Sequence, residues 1–450
     1  MKENKSNLQK VKKKSEMTDD ERVRNFQRKL YRKAKQEKDF RFYVLYDKIC
    51  LMYVLRESYR RVRMNKGSAG VDGVTFAKIE KEGVMKFLEG IQKELQERKY
   101  KPQAVKRVMI PKANGKERPL GIPTIKDRVV QMACKMVIEP IFEADFKECS
   151  YGFRPERSAH EAIKEIKKNL DEGRREIYDA DLTSYFDTIP HEKLLILIGK
   201  RISDSNVIHL IKMWLKSPVM EEGRISGGRK NKEGTPQGGV ISPLLANIYL
   251  NLVDKVIGKM KNLPEDIRMV RYADDFVLMG RRISERIRNK LIEVLNRMDL
   301  KVNEEKTRIV NTEEEAFDFL GFTFQRRWSK YKRGERYYHI QASKRSQSKI
   351  KANIKEYLKG NLQRNKSIVI KELNSKLKGW INYFRIPNFT QMWKPADNLR
   401  GYLRESLYRY IKRKSQRSKE YYSRNAFYIW VKEKGLVDPL RYSRTAPVKA

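Results

Sequence analysis

Cysteine and histidine are scarce in this chain. Of 450 residues only Cys50, Cys134 and Cys149 are cysteine, and only His160, His191, His209 and His339 are histidine. The cysteines are not spaced as a zinc knuckle or a disulfide framework, and the histidines are too scattered to suggest a metal site. A reducing, cytoplasmic setting is the expectation. No run of eighteen or so apolar residues occurs, so no membrane-spanning helix is expected. The segment Met1–Lys14 is polar and Lys-rich, without the apolar core of a secretory signal. There is no internal repeat and no low-complexity linker.

Acid is also in short supply. Against 100 Lys and Arg stand 57 Asp and Glu, a net charge of +43. A positive field of that size repels itself unless a polyanion is near, which points to a nucleic-acid partner. The excess is uneven. Residues 1–36 hold 13 basic and 5 acidic side chains, and residues 325–450 hold 33 and 8. The latter stretch also contains 19 of the 45 aromatics. Basic residues interleaved with Tyr and Trp suit phosphate contacts and base stacking. For Trp380, Tyr383 and Phe384, core packing is the favoured role.

Local patterns predict an α+β fold. Thr18 and Glu21 form a capping-box signature opening a basic helix that runs to about Lys35. Further helices are expected from about Phe40 to Arg63 and over residues 80–98. From Lys106 to about Phe324, short apolar strands alternate with helices: Arg107–Ile110, Arg175–Thr183 and Arg268–Gly280 read as strands, with a turn at Ala113-Asn-Gly115. From Gln325 onward the pattern is helical.

The sharpest chemical feature is Arg271-Tyr-Ala-Asp-Asp-Phe-Val277, which reads as a hairpin with Asp274 and Asp275 at its tip. Two charges about 4 Å apart repel by on the order of 4 kcal/mol at an effective dielectric near 20. A divalent cation is a natural reason to hold them together, and a plain acidic turn is the alternative. In Ile177-Tyr-Asp-Ala-Asp-Leu-Thr-Ser-Tyr-Phe-Asp187, period-2 alternation sets Ile177, Asp179 and Asp181 on one face. Asp181 falls where the strand ends, in reach of a neighbouring hairpin. Two carboxylate sources bridging two Mg²⁺ ions are the usual arrangement for phosphoryl transfer. Between them lies Gly234-Thr-Pro-Gln-Gly-Gly-Val-Ile-Ser-Pro243. Its glycines allow close backbone approach. Ser242 is the expected N-cap of a helix buried through Leu244, Leu245, Ile248 and Leu252.

These blocks, in this order, resemble the palm motifs of reverse transcriptases, above all those of the group II intron-encoded reverse transcriptase/maturase family. Gly67–Phe76 resembles that family's extra N-terminal motif. Ile110-Pro-Lys112 through Arg118–Pro123 resembles the fingers, and Ser150–Pro155 the next motif. Leu300–Lys306 and Phe317–Phe322 resemble the last palm motifs, and Gly379–Phe384 the thumb or maturase X region. The resemblance covers about residues 60 to 400.

It implies a right-hand polymerase: a basic extension (1–60), fingers and palm (61–325), and a helical thumb/maturase region (326–450). Asp181, Asp274 and Asp275 match metal-binding aspartates, with the Leu182 carbonyl assisting two Mg²⁺ ions. Lys112 and Arg118 match residues that hold the incoming triphosphate, Gln237 a nucleotide-pocket residue, and Lys306 a lysine that protonates the departing pyrophosphate. Phe186 matches the gate that rejects a ribose 2′-OH. The implied partners are group II intron RNA as template and splicing partner, a DNA primer or target, and deoxynucleoside triphosphates, with no membrane. The family's frequent zinc-dependent endonuclease is not expected, and the basic arm before residue 40 reads as an extra RNA-binding segment. The alternatives are a reverse transcriptase of the same ancestry serving defence or repair, and a non-catalytic RNA-binding splicing factor. The X-region match favours the intron reading over the first, and the three aspartates favour an enzyme over the second.

Overall fold

The computed structural model describes residues 17–111, 117–228, 231–236, 238–262, 266–329, 332–414 and 426–445. In chain order the strands are β1 (Val105–Pro111), β2 (Glu117–Ile122), β3 (Glu176–Ala180), β4 (Pro218–Glu221), β5 (Arg224–Gly227) and β6 (Arg268–Tyr272). They continue with β7 (Asp275–Gly280), β8 (Arg308–Asn311), β9 (Phe317–Phe319), β10 (Phe322–Trp328) and β11 (Arg336–Ala342). Three sheets result, ordered β2-β1-β4-β5, β6-β7-β3-β8 and β11-β10-β9. The chain divides into two compact units. The first takes its described residues from Met1–Arg154, Leu182–Val256 and Leu291–Val302, the second from Pro155–Asp181, Ile257–Lys290 and Asn303–Ala450.

The first unit opens with the expected capped helix, Asp19–Gln36. The Thr18 hydroxyl accepts from the Glu21 N–H, and the Glu21 carboxylate accepts from the Thr18 N–H. Three acids in its first turn and two lysines in its last complement the helix dipole. Its far end is closed from a distance. Arg201, only 5% exposed, donates to the carbonyls of Ala34, Glu37, Lys38 and Phe40.

The helix expected from Phe40 begins instead at Tyr46 and is interrupted, as Tyr46–Ile49 and Met52–Met64. Phe42 forms a bridge with Ile202, which holds this stretch extended. The Asp204 carboxylate then accepts from the Leu45 and Tyr46 N–H groups, both at 2.8 Å, which fixes where helix can start. The stretch 80–98 is likewise two helices, Phe76–Glu82 and Val84–Gln96, parted by Gly83 at φ 105°. The long helix Ile125–Glu143 is buried along Val129, Val130, Ala133, Val137 and Ile138 and forms the centre of this unit.

The helix after the Gly-rich loop runs Ser242–Gly258. Ser242 is its first residue rather than its cap, because the first helical carbonyl is that of Ile241, which accepts from the Leu245 N–H, while the Ser242 hydroxyl donates to the Pro236 carbonyl at 2.9 Å. Leu244, Leu245 and Ile248 are buried as expected, but Leu252 is 36% exposed. Tyr249 and Val253 complete the buried face.

In the second unit β3 lies between β7 and β8, antiparallel to both. Residues 325–342, expected to be helical, lie mostly in the β10–β11 hairpin. It pairs from Phe322↔Ala342 to Trp328↔Arg336, and the helices begin at Lys344. Helices Lys344–Gly360, Lys366–Phe384, Trp393–Lys414 and Ala426–Glu433 then share one apolar core that includes Leu377, Leu403, Phe427 and Trp430. Trp380 packs partly buried against that core. Phe384 is buried beside Phe322, whereas Tyr383 is exposed and its hydroxyl donates to the Leu320 carbonyl. No described helix is long and apolar enough to cross a membrane.

Candidate active site

The aspartates meet through strand register. In the second unit Asp179 pairs with Val277 and Ala180 with Phe276. One further step sets Asp181, just past the end of β3, beside Asp275, the first residue of β7. β6 and β7 join by a two-residue turn, since Tyr272 pairs with Asp275 and only Ala273 and Asp274 lie between. Ala273 has φ 60°, a conformation in which tight hairpins usually place Gly, Asn or Asp. This non-glycine turn holds Asp274 and Asp275 at the strand end. The buried Arg271 donates to the Ala273 carbonyl at 2.8 Å and ties the turn to its own strand.

Asp181 is fixed from the following motif. Its carbonyl accepts from Asn303 N–H at 2.7 Å and its own N–H donates to the Thr307 hydroxyl at 3.4 Å. Lys306, carried by the same turn, donates to its carboxylate at 2.6 Å. The lysine and aspartate side chains keep 66% and 29% of their exposure, so the pair faces solvent rather than the core.

The acids act on one another. Asp275 is exposed as a residue, but its carboxyl faces the sheet end and the other acids. Loss of water around that group is the first cause pushing it up to about 6, and Asp274, Asp181 and Asp179 add to the shift while Lys306 opposes it. Asp179 is also pushed up to about 6, by burial first, then by Asp181 and Asp318 against the pull of Arg308. Among the described residues no three acidic, His or Cys side chains converge on a single metal-sized point. The donor set nonetheless fits Mg²⁺ in kind, being hard carboxylate oxygens whose crowding a dication relieves.

Asp179 is a neighbouring acid that the sequence reading did not count among the candidate site residues. Alternation placed it on the face of Asp181, and that was the available signal.

The first unit holds both of the expected nucleotide-pocket residues that are described, Arg118 and Phe186. Arg118 lies exposed on β2, opposite Ile110. Phe186 sits half-buried in the short helix Tyr185–Thr188, its ring 5.5 Å from that of Tyr185. The Phe186 carbonyl accepts from Thr235 N–H at 2.7 Å, which draws the Gly-rich loop against it. Gly238, at φ 106°, lies so close to β2 that a Cβ there would run into the Gly121 carbonyl. So β2, Phe186 and the Gly-rich loop are neighbours within this unit. Leu182, the first residue of this unit after Asp181, is buried and bridges Val302. Lys112, Gln237 and the turn at 113–115 lie outside the described residues.

Comparison with known proteins bears on this arrangement. Residues 110–324 match the reverse transcriptase (RNA-dependent DNA polymerase) family, and residues 347–428 match the group II intron maturase-specific domain. Protein YkfC of Escherichia coli K12 is 37% identical over 347 residues, covering 69% of this chain and 90% of that protein. The group II intron-encoded protein LtrA of Lactococcus lactis subsp. cremoris is 39% identical over 207 residues, 45% of this chain, but the match spans only 33% of LtrA. Among solved structures, an apo telomerase from Candida tropicalis aligns at 17% identity with a TM-score of 0.40, over 50% of this chain and 53% of that one. The fold is that of a reverse transcriptase, α+β, followed by a helical maturase region. The chain belongs to the group II intron-encoded reverse transcriptase/maturase family.

Proposed function

We propose that this chain is an RNA-directed DNA polymerase that binds the RNA of a group II intron, assists its splicing and copies it into DNA for intron mobility. The observation that carries the catalytic part is the register that brings Asp181 beside Asp275 at the end of β3 and β7, with Asp274 in the adjoining turn. A merely structural hairpin has no need of neighbouring carboxylates that add to the raised proton affinity of a desolvated Asp275.

In this reading the chain is a basic extension (1–60), fingers and palm (61–325) and a thumb/maturase region (326–450). Asp181, Asp274 and Asp275, with the Leu182 carbonyl, are the groups to hold two Mg²⁺ ions, which when bound supply charge neutralisation at the attacking primer 3′-OH and at the departing pyrophosphate. In this reading Lys306, which donates to the Asp181 carboxylate, gives its proton to the pyrophosphate oxygen. Arg118 and Lys112 hold the triphosphate as cations, and Gln237 contacts the nucleotide. Phe186 excludes the ribose 2′-OH. The basic, aromatic C-terminal helices bind the RNA.

Primer extension on an RNA template with Mg²⁺ and deoxynucleotides tests the reading. Wild-type protein should extend and Asp274→Asn should not, while both bind the RNA alike. Wild-type protein that binds intron RNA and promotes splicing without any extension would favour the splicing-factor alternative.

A further inference from the structure

Within the first unit lies a cavity of about 1110 Å³ whose lining includes none of Asp181, Asp274 and Asp275 and none of the expected nucleotide residues. Its walls come from four places: residues 34–41 around the end of helix Asp19–Gln36, residues 142–148, residues 196–201 and residues 248–255. Cations outnumber carboxylates seven to three along its lining.

The arrangement is built rather than incidental. Arg201 pairs with Asp145 at 3.1 Å and at the same time clamps the carbonyls that end the first helix, so two walls are tied by one buried guanidinium. Burial raises the proton affinity of the Asp145 carboxyl, and Arg201 first, then Lys255, Lys35 and Lys147, oppose that without a direct ion pair from the lysines among the described residues. One carboxylate therefore faces Arg201 and three lysines, which leaves a surplus of positive charge. Lys38, Lys147, Lys200 and Lys255 are exposed and make no ion pair among the described residues. Asn251, 6% exposed, lines the same space, and its Oδ1 has no hydrogen-bond partner in the protein. Beside these polar groups stand two apolar side chains in the open, Ile196 at 63% and Leu252 at 36% exposure.

Unpaired lysines beside exposed apolar surface and a buried, unsatisfied amide match the parts of a nucleotide strand: phosphate, base face and base edge. The volume slightly exceeds the range of about 300–1,000 Å³ usual for small-molecule sites, so it is too roomy for a single inorganic anion. We propose that this cavity binds a short unpaired stretch of RNA, at a site separate from the polymerase centre. The inference rests on the RNA-binding reading above and assigns one particular seat for the strand.

The test uses the full-length protein and a 20-nucleotide single-stranded RNA carrying 4-thiouridine, with a DNA of the same sequence carrying 4-thiothymidine as the second arm. After irradiation the cross-linked peptides are mapped by mass spectrometry. The expected result is RNA cross-links in the peptides containing residues 142–148 and 196–200. They should be lost in the triple variant Lys147→Gln, Lys200→Gln, Lys255→Gln, which adds no carboxylate beside Asp145, with the melting curve and primer extension at saturating template unchanged. Removing three phosphate contacts should lower the slope of log K against log salt by about 2. Ile196→Ser, which keeps every charge, should weaken the cross-links while leaving that slope as it was. DNA cross-linking equally well at these peptides would overturn the assignment to RNA. Cross-links confined to residues 344–445 would overturn the cavity as a site and leave RNA binding intact. Failure to bind RNA anywhere would overturn both.

Discussion

Replacing Phe186 by alanine separates two roles that its position allows. A fully buried Phe truncated to Ala costs about 3–5 kcal/mol. Phe186 is only half-buried, and the anchor of its short helix is its neighbour Tyr185, which is buried and donates to the Ala246 carbonyl at 2.6 Å. The bond from Thr235 N–H goes to the backbone of Phe186 and survives the substitution. The expected loss of stability is therefore about half the full figure, roughly 2 kcal/mol, and the variant should fold. If the ring is the gate, removing it also removes the clash with a 2′-OH. An added hydroxyl in an apolar site is rejected by roughly 10- to 150-fold, so selectivity for deoxynucleotides should fall by at least about tenfold. Single-nucleotide incorporation of dGTP and GTP opposite a template cytosine measures the ratio, and a melting curve on the same preparation checks the fold. A folded variant with an unchanged sugar ratio would refute the gate.

Asp274→Asn should reduce extension to a few per cent of wild type or less with RNA affinity unchanged; substantial residual extension would remove Asp274 from the metal set. Asp275 has its proton affinity raised in the native state, from 3.8 to about 6, so its contribution to stability is full below about pH 4 and is lost as pH rises through 6. In metal-free protein Asp275→Asn should thus flatten the pH dependence of the denaturant midpoint between 4 and 6 and raise the midpoint above 6, while abolishing extension; an unaltered pH profile would count against the crowding of these acids. Ending the chain at Ser343 rather than at 325, where the β10–β11 hairpin would be split, should lower the salt slope of RNA binding by several contacts at roughly 0.7 each. An unchanged slope would move the main binding surface elsewhere. Thr18→Ala should cost about 1 kcal/mol in thermal unfolding, because the hydroxyl that accepts from the Glu21 N–H is lost while the bond from the Thr18 N–H to Glu21 remains.

The acidic site was legible because its signals are local. Two acids between apolar runs make a hairpin tip, and a strand ending in Asp181 needs only a neighbouring strand to complete the cluster. What was not legible depends on residues far away in sequence. The interruption of the helix expected over 40–63 is set by Ile202 and Asp204, which no window around Phe40 contains. Ser242 has the composition of a cap, but the helix starts one residue earlier, on the Ile241 carbonyl, and the Ser242 hydroxyl donates instead to the Pro236 carbonyl brought near by the loop. Leu252 sits on the expected apolar stripe, yet its side of the helix lines an open cavity. The β10–β11 strands were hidden by a wealth of Lys, Arg and Tyr that suits an exposed hairpin as well as a basic helix.

The clamp of Arg201 on the first helix has a consequence for synthesis. The carbonyls of Ala34, Glu37, Lys38 and Phe40 wait for a partner made some 160 residues later. At a translation rate of about 5–20 residues per second, that interval is roughly 10–30 s. For that time the end of the helix lacks its lock, and the cavity of which it forms one wall does not yet exist. A nascent chain stalled before residue 201 should therefore be cleaved by protease near Lys38, and one stalled well beyond it should not.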